Sequence, residues 1–219
     1  YETLSNSFNS SYGGGNIIAA ISMKSLLADI KMVQGRLHDA RQTCEQALQL
    51  VASAQDSLNV RGTANLLLSL SEIHRQQGDS KTAAEYRQQS ESIGKQASNA
   101  TYQYRRRLAL AAIKASQGAF DEALVLLNEA APWIGQVYLS ETRTLAALKA
   151  HVWIKQGQLD KAVAWVNQQG LAIDDKLSYL HEFDYMILAQ LRIAQYRNES
   201  GDDAIHQTIR LLARLLQAA

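Results

Sequence analysis

A glutamine–glycine pair, followed five residues after the glycine by an alanine, recurs along this chain. It stands at Gln34-Gly35 with Ala40, Gln77-Gly78 with Ala83, Gln117-Gly118 with Ala123, and Gln156-Gly157 with Ala162. The glycines are 43, 40 and 39 residues apart. A period in the range of about 20–50 residues marks a repeat array, in which each unit is one supersecondary element that cannot bury its apolar face alone.

Composition says which element repeats. There is one proline and there are twelve glycines in 219 residues, with alanine, leucine and glutamine abundant. Those are strong helix formers, so the chain is expected to be all-α. Apolar residues at helical spacing run from Ile17 through Ile21, Leu27, Ile30 and Val33 to a stop at Gly35. A second helix carries Leu37, Ala40, Cys44, Ala47, Leu48 and Val51 on one side. The pair then returns: helices over 58–77 and 80–97, 99–117 and 120–131, 138–156 and 159–169, with the sixth helix stopping at Pro132. A fifth unit has Ala189 and Leu191 in register, but Tyr196 replaces the glycine and 198–202 lengthen the turn. Its last helix, over 203–217, shows Ile205, Ile209, Leu212 and Leu216 as the apolar row.

Aligning the units on their glycines exposes three further columns. Seven residues before the glycine stands a small side chain: Ala28, Ser71, Ala111, Ala150. Five before it stands a branched one: Ile30, Ile73, Ile113, Val152. Nine after it come Cys44, Arg87, Leu127 and Val166. Two antiparallel helices approach closely only where one presents a small residue, and the glycine accepts the left-handed conformation that ends the first helix. The expectation is a single domain over 1–219, a right-handed superhelix (solenoid) of about five stacked antiparallel hairpins. The units are read at 17–55, 58–97, 99–132, 138–170 and 176–218. The glutamine before each glycine is expected to cap the carbonyls at the end of the first helix.

These columns resemble those of the tetratricopeptide repeat, although the units exceed that family's 34 residues. A closer resemblance lies in Trp165-Val166-Asn167-Gln168-Gln169-Gly170-Leu171-Ala172-Ile173-Asp174-Asp175 and in 177–189, from Leu177-Ser178-Tyr179-Leu180-His181-Glu182 to Ala189. A tryptophan-bearing helix, a Gly-Leu turn, an acidic pair and a Tyr-x-x-Glu helix in that order resemble the sensor region of the large ATP-dependent LuxR-type transcriptional regulators, the MalT family. His181 departs from the arginine usual there, and Tyr196 from a glycine. The resemblance implies a region between an ATPase domain and a helix-turn-helix, binding a small-molecule inducer or a regulatory protein. It implies that ATP and DNA belong to other domains, with no cofactor here. A tetratricopeptide-like scaffold for other proteins, without a small-molecule ligand, is the alternative.

Other chemistry finds little footing. Gly13-Gly14-Gly15-Asn16 lacks the preceding strand and the following Lys-Ser or Lys-Thr of a phosphate loop and reads as a turn. His38, His74, His151, His181 and His206 lie in different units without i, i+4 pairing, so no metal site is expected. With no nucleophile–base pair either, no catalysis is expected. Twenty-two basic against twenty-one acidic residues give a net charge of +1, which provides no field for a nucleic acid or an anionic membrane. In Arg105-Arg106-Arg107, consecutive helix positions diverge around the axis, so one is expected to meet solvent and another a carboxylate of a neighbouring unit. Cys44 is the lone cysteine, which precludes an internal disulfide and fits the cytoplasm. The chain starts without methionine, in what reads as mid-element, which predicts part of a longer regulator.

The site is expected on the first helices, which line the inner face of such an array. Six residues before the glycines, that face carries Asp29, Glu72, Ala112, His151 and Gln190; thirteen before, Ser22, Asn65, Arg105, Thr144 and Phe183; three before, Met32, Arg75, Ala115, Ile154 and Ile193. The candidate ligand-binding residues are Asp29, Asn65, Glu72, Arg75, Arg105, His151, Phe183 and Gln190. A basic clamp for a peptide carboxylate is absent, because Asp29 and Glu72 occupy its position. Trp133, Trp153 and Trp165 read as core packing before they read as a sugar-stacking platform. Self-association is left open.

Overall fold

The computed structural model describes residues 17–53, 62–94, 100–136, 144–178, 181–198 and 202–218. Among these are ten α-helices. They are α1 (Ile17–Val33), α2 (Leu37–Ser53), α3 (Thr63–Gln76), α4 (Ser80–Gly94), α5 (Ala100–Ser116), α6 (Phe120–Ala130), α7 (Leu145–Gln156), α8 (Leu159–Gln169), α9 (Glu182–Asn198) and α10 (Asp202–Ala218). The fold is all-α and of the helical-repeat class. The glycine-rich turn at 13–16, Tyr179, Leu180 and 199–201 lie outside the described residues.

Four of the five first helices end in the same way. Gly35 donates to the Met32 carbonyl at 3.1 Å and Arg36 to that of Lys31 at 2.9 Å. The same two bonds recur at Gly78 and Asp79, at Gly118 and Ala119, and at Gly157 and Gln158. All four glycines have positive φ, from 72° to 83°. This is the Schellman arrangement, in which two backbone donors satisfy the last carbonyls of the helix. The glutamines therefore do not cap. The side chains of Gln34, Gln77 and Gln117 are exposed, and Gln156 reaches instead to the Asp121 carboxylate at 2.9 Å. At Tyr196, with no glycine to stop it, α9 runs on to Asn198.

The small columns lie where the helices of a hairpin touch. Ala28, Ala150, Ala40, Ala123 and Ala162 are wholly buried, and Ala111, Ser71 and Ala83 nearly so. The Ser71 hydroxyl donates to the Ala83 carbonyl of the facing helix at 2.8 Å, a bond that only a close approach allows. Arg87 is the exception in the third column: half-buried, it pairs with Glu91 at 3.2 Å.

The chain divides into two compact units, residues 1–109 and 110–219, the boundary falling inside α5. In the first, α1 packs on α2 and α3 on α4, while α3 also packs on α1 and α2. Its core joins Ile21, Cys44, Leu66, Leu70 and Ile73. In the second, α7 packs on α8 and α9 on α10, and α7 also contacts α6 and α9. Trp165, Ile187, Leu188, Leu191 and Leu211 form its core. Burying each of these large side chains contributes about 1.5–3 kcal/mol.

The sixth helix ends at Ala130, within a residue of the end expected before Pro132, and a 3-10 turn follows over Ala131–Gln136; proline near the start of a new helical segment loses no needed N–H. Three expectations need correction. The buried row of α10 is Thr208, Leu211 and Leu215, leaving Ile209, Leu212 and Leu216 exposed, since α9 takes the neighbouring face. Val33 is likewise exposed, one residue from the turn. α7 starts at Leu145, where the Thr144 hydroxyl accepts from Ala147 N–H at 3.1 Å, an N-cap.

Candidate functional site

In the first unit, Asp29 on α1 and Arg105 on α5 form an ion pair at 2.8 Å. The Ser69 hydroxyl on α3 stands between them: the guanidinium donates to it at 2.8 Å, and it donates to the carboxylate at 3.4 Å. Three first helices thus share one polar cluster. Burial pushes the Asp29 carboxyl above the usual carboxylate range, while the charge and hydrogen bond of Arg105 pull it down. Asn65, one turn before Ser69, is buried, and its side-chain oxygen has no partner among the described residues. Glu72 and Arg75 pair with each other through two 2.7 Å bonds on α3. That pairing holds the Arg75 guanidinium above its ordinary pKa. The second arginine of the run, Arg106, lies 3.6 Å from Glu91, and Arg107 donates to the Gln103 carbonyl at 3.0 Å.

In the second unit, His151 on α7 and Gln190 on α9 meet at 2.7 Å, Nδ1 to Oε1. They occupy the same column in successive repeats, whereas Asp29 and Glu72, likewise in one column a repeat apart, pair elsewhere. Phe183, half-buried, packs against the core of this unit. Of the eight candidates, the structure pairs Asp29 with Arg105, Glu72 with Arg75 and His151 with Gln190. It buries Asn65 and rests Phe183 on the core.

The segment after α8 is pinned in place. Gly170 repeats the glycine turn, donating to Asn167, with Leu171 donating to Val166. Asp175 then accepts from Ala172 N–H at 2.7 Å and from the Tyr185 hydroxyl at 3.2 Å. Arg214 of α10 donates to the carbonyls of Ile173, at 2.8 Å, and of Asp175. The acidic pair of the sequence motif therefore includes the residue that ties this turn to α9. His181 Nδ1 lies 3.1 Å from the buried Asp184 carboxylate.

Sequence reasoning did not single out a cavity of about 650 Å³ beside the α7–α8 hairpin, near the end of α6. Lys149 and Trp153 of α7 line it, with Lys161, Trp165 and Gln168 of α8, and Thr144. The signal was present as Lys149 and Trp153 four apart on one helix and Lys161 and Trp165 four apart on the next. Trp165 is buried in the core and Trp153 packs beside it, as the core reading expected. Among the described residues no group of three or more His, Cys, Asp or Glu could hold a metal ion, and no helix is long and apolar enough to cross a membrane.

Helix hairpins ended by glycine turns, with small residues at their contacts, define an α-helical repeat protein of the tetratricopeptide kind. The family model described as the MalT-like TPR region matches residues 10–219, and the chain belongs to that family. Among solved structures, BtubC (BKLC) from P. vanneervenii is similar with a TM-score of 0.55 at 14% identity, over 98% of this chain and 90% of that one. The nearly identical TPR-like repeats of a Podosopora anserina protein give a TM-score of 0.51 at 18% identity, over 88% of this chain and 93% of that one. At such identities the likeness is one of fold. No curated protein matches the chain.

Proposed function

We propose that this chain is the sensing region of a bacterial LuxR/MalT-type transcriptional activator, in which a small-molecule inducer or a regulatory protein binds the repeats and shifts the regulator toward its active state. The observation that carries this reading is the family match over nearly the whole chain. First-helix columns that differ from unit to unit support it, with polar pairs such as His151–Gln190 set among apolar residues. A ligand shifts a two-state regulator only by its difference in affinity for the two states. In that role the region works in the cytoplasm and leaves ATP and DNA to other domains. Isothermal titration of the chain against oligosaccharides and cytoplasmic metabolites, with induction assayed in the full regulator, tests the reading. Binding of one compound that also induces is the expected result. No binding, together with unchanged induction when these repeats are deleted, removes it.

A second reading, a scaffold for proteins alone, is favoured by the exposed row Ile209, Leu212 and Leu216 on α10. Capture of a regulatory protein that is lost in Leu212→Lys/Leu216→Lys, with no metabolite bound, decides for it.

A further inference from the structure

The cavity beside the α7–α8 hairpin has a chemistry that packing does not require. Lys149 and Trp153 lie on one face of α7, and Lys161, Trp165 and Gln168 follow at i, i+4 and i+7 on α8. That spacing turns one face of each helix to the same space. Elsewhere the hairpins pair their cations: Lys31 of α1 donates to Thr43 of α2 at 2.8 Å, and Lys114 of α5 meets Glu122 of α6 at 2.6 Å. Among the described residues, Lys149 and Lys161 have no such partner and no aspartate or glutamate lines the cavity. Two like charges facing one space repel, and an anion between them converts that repulsion into attraction. The walls behind them are indole and methyl. Trp165, 4% exposed, carries an Nε1–H for which the described residues supply no acceptor. The volume suits one organic molecule, since small-ligand sites span about 300–1,000 Å³ and combine apolar walls with few polar anchors.

We propose that this cavity binds a small organic anion, its carboxylate or phosphate held by Lys149 and Lys161 and its apolar, ring-bearing body laid against Trp153 and Trp165. The proposal rests on the sensing reading for its purpose in the cell, but binding by the 219-residue chain is measured apart from transcription. The regulator reading can therefore fail while the pocket stands, and the reverse.

The test compares three probes by isothermal titration: 1-naphthylacetate, 1-naphthyl phosphate and the neutral 1-naphthylacetamide. Indole signals are followed in parallel in 1H–15N spectra. The expected result is one saturable site at which at least one anion binds tenfold or more tighter than the amide, with the signals of Trp153 and Trp165 moving. The tighter of the two anions identifies the head group. Lys149→Met/Lys161→Met removes the preference, and Lys155→Met, on the same helix but outside the cavity, keeps it. The inference is overturned by equal binding of amide and anions, by a preference that survives the double substitution, or by no binding of any probe to a chain that circular dichroism shows to be helical.

Discussion

Arg105 on α5 holds Asp29 on α1 at 2.8 Å although 76 positions separate them. The pair crosses Ser69 of α3, so it locks three first helices in register. Burial raises the Asp29 carboxyl pKa, and Arg105 opposes the rise. A carboxyl with a raised folded pKa takes up a proton more readily folded than unfolded. Its contribution to stability is therefore full below the ordinary carboxylate pKa and is lost as pH rises through the raised value. Arg105→Met should move the Asp29 midpoint further up, read from its side-chain 13C shift. It should cost about 2 kcal/mol at pH 7, where a partly buried carboxylate loses its charged partner, and less near pH 4. Urea unfolding at the two pH values checks this, and equal losses at both would sink the account.

The glycines separate two kinds of cost. At Gly157 a Cβ would meet nothing within 4 Å, but φ is +80°, so Gly157→Ala should cost about 1 kcal/mol of left-handed strain. At Gly94 a Cβ would overlap the ring of Tyr102, which is buried and donates to the Ser90 carbonyl at 3.1 Å. Gly94→Ala should cost more, about 2–3 kcal/mol, as in other overpacked cores. Denaturant midpoints of the two variants give the order, and the reverse order would contradict this packing.

Cys44 is wholly buried against Ala28 and Ile73 in the core of the first unit. Burial, with the Asp29 charge adding to it, pushes the thiol up to about 12. Thiolate is the reactive form, so iodoacetamide at pH 8 should leave the native chain unlabelled for hours and label it within minutes in urea. Fast native labelling, followed by mass spectrometry, would place Cys44 elsewhere.

Ala150 stands in the small column of the third glycine-to-glycine interval and is fully buried. Ala150→Leu should destabilise by about 1–3 kcal/mol, whereas Ala52→Leu, on the exposed side of α2, should be nearly neutral. Thermal unfolding of both distinguishes a packed column from a tolerant one.

The repeat was legible because its demands are local: a glycine where the chain turns left-handed, small residues where helices touch. α10 shows where that stops. Ile209, Leu212 and Leu216 form as good an apolar row as Thr208, Leu211 and Leu215. Which row is buried depends on where α9 lies, and no periodicity within α10 encodes that. The candidate site divides in the same way. Column position put His151 and Gln190 on corresponding turns of α7 and α9, but their contact at 2.7 Å appears only in the structure. The Asp29–Arg105 pair needed the stacking itself, and the two lysines of the cavity sit on different helices that face each other only after the hairpin closes.

The glycine turns close on main-chain donors and acceptors alone. The four first helices that end on a glycine need no particular neighbour to tell them where to end. A unit can therefore be duplicated, deleted or exchanged without inheriting a debt of mismatched partners at its stop, and only the faces between units must be fitted anew.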